Sequence, residues 1–128
     1  PLPGPPTDET RQLIDAAALA QLKPSAVLVN TSRGGVVDEA ALIEALRAER
    51  LRGAALDVLA PEPPAPDHPL LAFDPRRVIL TPHFGAWCNA SVPDLHAEIA
   101  GAVAAVLAGR WPASTMNPEV QPRTALNG

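Results

Sequence analysis

The run Ala26-Val27-Leu28-Val29-Asn30-Thr31 restricts the fold more than any other stretch of this chain. It is almost continuously apolar and carries two valines, the pattern of a strand covered on both faces, as strands of a parallel sheet are. It then delivers Arg33, followed at once by Gly34 and Gly35. A strand that stops at a positioned charge is where an open α/β sheet holds its chemistry. Two later runs repeat the design. Ala54-Ala55-Leu56-Asp57-Val58 and Val78-Ile79-Leu80-Thr81-Pro82-His83 each carry or deliver a polar residue at the end of an apolar stretch, so three strand ends can converge on one site.

The segments between these runs read as helices and loops. Residues 1–12 are turn-like, because Pro1, Pro3, Gly4, Pro5 and Pro6 leave too few backbone donors for a central strand. Asp15 is an N-cap for a helix over Ala16–Leu22, which Pro24 stops. Asp38 caps the next helix, in which Ala41, Leu42, Ala45 and Leu46 form an apolar stripe opposite Glu39, Glu44, Arg47 and Glu49, and Gly53 is expected to close it in a left-handed conformation. The strand at Ala54–Val58 completes a strand, helix, strand unit over residues 26–58. The prolines between 60 and 76 predict a stiff surface loop. A third strand covers Arg77–Leu80, and a final helix starts near Ser91 as its cap, with Pro93 in the first turn. Leu95, Ile99, Val103, Val106 and Leu107 give that helix its apolar face, and Gly109 ends it.

At 128 residues the chain is long enough for one cored domain but short for an enzyme holding both a dinucleotide and a substrate. A net charge of -4 without any basic run excludes nucleic acid as an expected partner. No apolar stretch reaches membrane-spanning length. Cys88 stands alone, so no intrachain disulfide can form, and a reducing, cytoplasmic setting is expected. Cys88 is read as a packing residue, His68 and His96 as solvent-facing, Trp87 as packing or pocket-lining, and Trp111 and Met116 as fasteners of the C-terminal tail.

Three segments in order, Asn30-Thr31-Ser32-Arg33-Gly34-Gly35, Ala55-Leu56-Asp57-Val58-Leu59-Ala60-Pro61-Glu62-Pro63 and Leu80-Thr81-Pro82-His83-Phe84-Gly85, resemble the D-isomer-specific 2-hydroxyacid dehydrogenases. Thr7-Asp8-Glu9-Thr10-Arg11 also looks like that family's turn before a short helix, and the resemblance runs from about Pro5 to Pro118. It implies an α/β fold: a partial, Rossmann-like, doubly wound parallel sheet, the C-terminal half of an NAD(P)-binding domain over residues 1–113. Residues 114–128 would be a tail packing on a substrate domain that the chain lacks.

By the same resemblance, Arg33 would hold the carboxylate and carbonyl oxygen of a small 2-oxo or 2-hydroxy acid, His83 would be the general acid and base, and Glu62 would orient and charge His83. The chemistry is consistent. A planar guanidinium grips a 2-oxo acid through two parallel hydrogen bonds while polarising the ketone. A histidine that serves both directions must exist protonated for reduction and neutral for oxidation, and a neighbouring carboxylate favours the imidazolium. The formate-oxidising branch of the family carries glutamine where this chain has Glu62, so formate is not the expected substrate. Thr31, Ser32, Arg33, Asp57, His83 and Gly85 would contact the cofactor, NAD with NADP not excluded. Gly34 and Gly35 would turn the chain under the ligand, and no metal is expected.

No G-x-G-x-x-G occurs in the 128 residues, so the pyrophosphate-binding turn has no candidate. The chain therefore reads as the C-terminal part of a larger dehydrogenase, a homodimer in its full-length form, and inactive as an isolated fragment. An NAD(H)-sensing binding protein or corepressor of the same fold is the alternative from another class, and an inactive gene remnant is the third. Replacing His83 by Ala separates enzyme from sensor: turnover would be lost, partner binding kept.

Overall fold

The computed structural model describes residues 7–117, 119–121 and 126. The proline-rich opening through Pro6 and the far end of the resemblance at Pro118 lie outside the described residues, as does most of the tail beyond Gln121. The chain divides into two compact units, Pro1–Gly85 and Ala86–Gly128.

The first unit is built on a parallel sheet of three strands, β1 (Val27–Asn30), β2 (Gly53–Leu56) and β3 (Val78–Leu80), in the order β1-β2-β3. Asn30 pairs with Leu56, and Leu56 with Leu80. The strands thus end level with one another. Two further backbone bonds, from Asp57 N–H to the Asn30 carbonyl at 2.9 Å and from Thr81 N–H to the Leu56 carbonyl at 3.0 Å, carry the ladder one residue on. Residues 31, 57 and 81 therefore follow their strands at one end of the sheet.

Helix α1 (Ala16–Ala20) starts where the Asp15 carboxylate accepts from Ala18 N–H at 2.8 Å, and α2 (Glu39–Arg47) where Asp38 accepts from Ala41 N–H at 3.0 Å. Both are the caps the sequence predicts, each satisfying a donor that the first helical turn cannot. Leu42 and Leu46 of α2 are fully buried, packed with Leu19, Leu51, Leu56 and Leu70. Burial of this kind contributes about 1.5–3 kcal/mol for each leucine.

Four expectations are corrected here. The strand at 26–31 is not covered on both faces: Val27 and Val29 are 51% and 64% exposed, and Ile79 is 55% exposed, because the buried core lies on the Leu28, Leu56 and Val78 side. Gly53 does not end α2. The helix stops at Arg47, and Glu49 takes the left-handed conformation (φ 54°) while its N–H bonds the Leu46 carbonyl and Arg50 N–H bonds the Ala45 carbonyl, closing the helix as a Schellman motif. Gly53 instead opens β2. The proline-rich segment 60–76 is not wholly a surface loop, since it contains a 3-10 turn at Pro69–Ala72 whose Leu70 is 1% exposed. Finally, His68 is not solvent-facing: its Nδ1 accepts from Leu70 N–H at 3.3 Å and its Nε2 meets Glu39 at 2.8 Å.

The second unit contains α3 (Ser91–Leu107). Gly109 (φ 72°) ends it as predicted, with Arg110 N–H on the Ala105 carbonyl at 2.9 Å. Ser91 is the first helical residue and not the cap; its hydroxyl turns back to the Ala86 carbonyl and to Cys88. The predicted apolar stripe is present, yet no residue of α3 is buried. Cys88 is exposed, against its reading as a packing residue, and its thiol is shifted down by the Ser91 hydroxyl first and then by the amides of Ser91 and Ala90. Trp111 is half-buried in a cavity bounded by Gly101, Ala102 and Ala105 of α3, whereas Met116 is 85% exposed. His96 is exposed, as expected. Among the described residues no helix is long and apolar enough to cross a membrane.

Candidate active site

The loop after β1 is organised by Asn30, a buried polar residue that the sequence reading passed over. Its Oδ1 accepts from both the N–H and the hydroxyl of Ser32 (3.1 and 3.2 Å), and its Nδ2 donates to the Arg33 carbonyl at 3.0 Å. One amide side chain thus ties down two consecutive residues, Ser32 and Arg33. The signal was available: a polar residue closing an otherwise apolar strand must find partners when buried. Arg33 itself is exposed and extended (φ -145°, ψ 143°), with Nη1 donating to the Ser32 carbonyl at 2.6 Å. Gly34 serves the fold more than a ligand, since a Cβ there would lie 2.1 Å from the backbone carbonyl of Leu59.

Glu62 and His83 come together from the loop after β2 and the end of β3. His83 Nδ1 lies 2.8 Å from Glu62 Oε2, and Glu62 Oε1 accepts from Leu59 N–H at 2.8 Å. The carboxylate is thereby anchored on one oxygen and offered on the other. An ionised carboxylate only accepts, so Nδ1 donates and Nε2 faces away from Glu62. The hydrogen bond from His83 is the main cause holding the Glu62 carboxyl below its ordinary range; burial opposes it, and the Leu59 amide and the charges of His83 and Arg33 reinforce it.

Asp57, expected at the cofactor, has its carboxylate against the segment that follows β3. Its carboxylate accepts from the Thr81 hydroxyl and from the N–H groups of Phe84 and Gly85. These bonds, the Thr81 hydroxyl foremost, outweigh burial and hold its carboxyl below the usual carboxylate range, with the charge of His83 a smaller contribution. Thr81 was not singled out in the sequence, though its place between β3 and His83 marked it.

Two cavities adjoin these residues. One of about 400 Å³ has Glu62 and His83 in its wall and is otherwise mainly apolar, with Leu59, Pro63, Leu71 and Leu80. The other, about 480 Å³, lies at the end of β1 between Val29, Thr31, Ser32 and Val36.

A parallel α/β sheet whose strand ends carry an arginine and a carboxylate-anchored histidine defines a domain of Rossmann-like architecture. The comparisons with known proteins narrow the class. The family described as D-isomer specific 2-hydroxyacid dehydrogenase, NAD binding domain, matches residues 2–85. A D-3-phosphoglycerate dehydrogenase of Mycobacterium leprae is 42% identical over 88% of this chain and 21% of its own length. A glyoxylate reductase of Aeropyrum pernix is 41% identical over 91% of the chain and 34% of its own. Among solved structures, the NADPH-dependent glyoxylate/hydroxypyruvate reductase of Sinorhizobium meliloti, in complex with NADP and malonate, superimposes with a TM-score of 0.82 at 31% identity, over 95% of this chain and 38% of that one. The chain belongs to the D-isomer specific 2-hydroxyacid dehydrogenase family and matches its NAD-binding domain over residues 2–85. It spans between about a fifth and a third of the length of these curated relatives.

Proposed function

We propose that this chain is the C-terminal part of the NAD(P)-binding domain of a dehydrogenase that interconverts a 2-oxo acid and its D-2-hydroxy acid, with His83 as acid and base. The observation that carries the reading is the 2.8 Å contact of His83 Nδ1 with a Glu62 already anchored by the Leu59 amide. That arrangement commits Nδ1 and leaves Nε2 to serve the substrate oxygen.

The residues fit the nicotinamide end of the cofactor, since the hydroxyl-bearing Thr31 and Ser32 border the cavity at the end of β1, the end at which open parallel sheets take nucleotides. Thr31, Ser32 and Gly85 form the cofactor edge, and Arg33 and His83 stand where substrate and cofactor meet. When bound, the nicotinamide supplies or accepts the hydride. In reduction, Arg33 holds the carboxylate of the 2-oxo acid and polarises its ketone, and Nε2 of protonated His83 gives its proton to the carbonyl oxygen as that oxygen becomes a hydroxyl. Glu62 keeps the ring oriented and stabilises its charge. In oxidation the neutral ring takes the hydroxyl proton back. The relatives named for glyoxylate and hydroxypyruvate direct the choice of substrates to small 2-oxo acids. The homodimer, the tail over residues 114–128 docking on a substrate domain, and the cytoplasmic setting belong to this same proposal.

The test is to assay the longest in-frame protein that contains this chain with NADH and NADPH against glyoxylate and hydroxypyruvate, beside its His83→Ala and Arg33→Lys variants. Turnover that both substitutions abolish or cripple is expected. Turnover unchanged by His83→Ala would refute the assignment.

A further inference from the structure

Asp57 follows β2 and is only 7% exposed, yet its carboxylate takes three hydrogen bonds from one short segment of chain. Oδ1 accepts from the Thr81 hydroxyl at 2.5 Å and from Phe84 N–H at 2.9 Å, and Oδ2 accepts from Gly85 N–H at 2.7 Å. The donors bracket His83, one before it and two after. His83 has a left-handed backbone (φ 58°), costly for a residue with a Cβ, and its own N–H bonds the Thr81 carbonyl at 3.0 Å. Successive N–H groups after a left-handed residue make a concavity that suits an anion. Here the anion is a side chain of the protein itself. Gly85 permits the approach, since a Cβ at that position would lie 2.8 Å from Asp57 Oδ2.

We propose that Asp57 is a positioning residue whose carboxylate holds residues 81–85 in the left-handed turn that points the His83 ring at Glu62. Its consequence for catalysis rests on the reading of His83 as acid and base; its consequence for geometry does not. Asparagine cannot replace it, because the amide has one accepting oxygen and would turn its NH₂ toward the Thr81 and Phe84 donors or the Gly85 donor. Without the clasp the strain at His83 relaxes, the ring leaves Glu62, and Nε2 loses its fixed direction.

The experiment is nuclear magnetic resonance on the ¹⁵N-labelled longest in-frame protein that contains this chain, reading amide hydrogen exchange at Phe84 and Gly85 and the imidazole ¹⁵N shifts of His83. Wild type is compared with Asp57→Asn and with Gly85→Ala, which crowds the carboxylate without removing its charge. In wild type both amides are expected to be protected and Nδ1 to be the protonated nitrogen of the neutral ring. Either variant should speed exchange at these amides by about tenfold or more and mix the two ring tautomers, while the amides of β1 and β2 keep their protection. Gly85→Ala decides the matter if Asp57→Asn does not fold. Wild-type amides that exchange freely, or a folded variant with unchanged exchange and an unchanged ring, would overturn the proposal. A protein that shows the clasp yet no turnover would instead overturn the enzymatic reading and leave the clasp standing.

Discussion

His68 and His83 each meet a glutamate at 2.8 Å, His68 through Nε2 to Glu39 and His83 through Nδ1 to Glu62. The two regions differ in everything around that contact. The His68 and Glu39 side chains are 13% and 20% exposed, and the second ring nitrogen of His68 accepts from Leu70 N–H, so the ring is fully used in stapling the proline-rich segment to the start of α2. The His83 and Glu62 side chains are 46% and 36% exposed, and among the described residues no hydrogen bond engages Nε2 of His83. A short histidine–glutamate contact is therefore not a mark of catalysis. The mark is a ring held at one nitrogen and presented at the other, on a strained turn at the end of a strand.

The largest effect that can break this contrast is kinetic. In the longer enzyme, His83→Ala should lower kcat by about 10²–10⁴-fold, the usual weight of a general acid or base, while His68→Ala should leave kcat within about threefold. Steady-state assays of both variants check this, and equal losses would erase the distinction. Stability should rank the residues in reverse. His68→Ala strands the buried Leu70 N–H and Glu39 and should cost about 1–3 kcal/mol in denaturant unfolding, whereas His83→Ala, at an exposed pair, should cost less than about 1 kcal/mol.

A smaller effect sharpens the role of the left-handed turn. Glu49 (φ 54°) shares the backbone conformation of His83 (φ 58°) but closes a helix and contacts no reacting group. Glu49→Gly should raise stability by a few tenths to about 1 kcal/mol, measured as a shift in unfolding midpoint, and so gauges the backbone cost that His83 also carries. The smallest expected effect is on pH dependence. Glu62 has its pKa lowered in the fold, chiefly by the His83 hydrogen bond, so its contribution to stability is complete above the ordinary carboxylate range and is lost as pH falls through the lowered folded value. The unfolding midpoints of wild type and Glu62→Gln should therefore converge on acidification; a gap that widens instead would show the pair to be unfavourable.

Local chemistry made much of this legible. Asp15 and Asp38 announce their helices because a short acceptor ahead of an amphipathic stretch satisfies orphan N–H groups wherever it stands. The apolar runs located β1, β2 and β3 to within about two residues, since burial on one face suffices to demand them. Arg33, Glu62 and His83 were visible through motif order alone. His68, Thr81 and Asn30 were not, because their partners lie far along the chain or depend on the path of a loop, and a solvated side chain and a buried, satisfied one look the same in sequence. The stripe on α3 shows the converse, patterned for burial in a chain where no residue of that helix is buried.

The sequence by itself determined where the strands and helices begin, which strand ends carry charge, and the family to which the chain belongs, because each depends on spacing and on neighbours a few residues away. Only the tertiary structure decided that Asp57 turns inward to clasp the His83 turn, that Glu62 reaches His83 across 21 residues, and that His68 is a staple. Those outcomes follow from the level alignment of parallel strand ends, which brings residues 31, 57 and 81 to one end of the sheet and lets hydrogen bonds form between groups that no local rule connects.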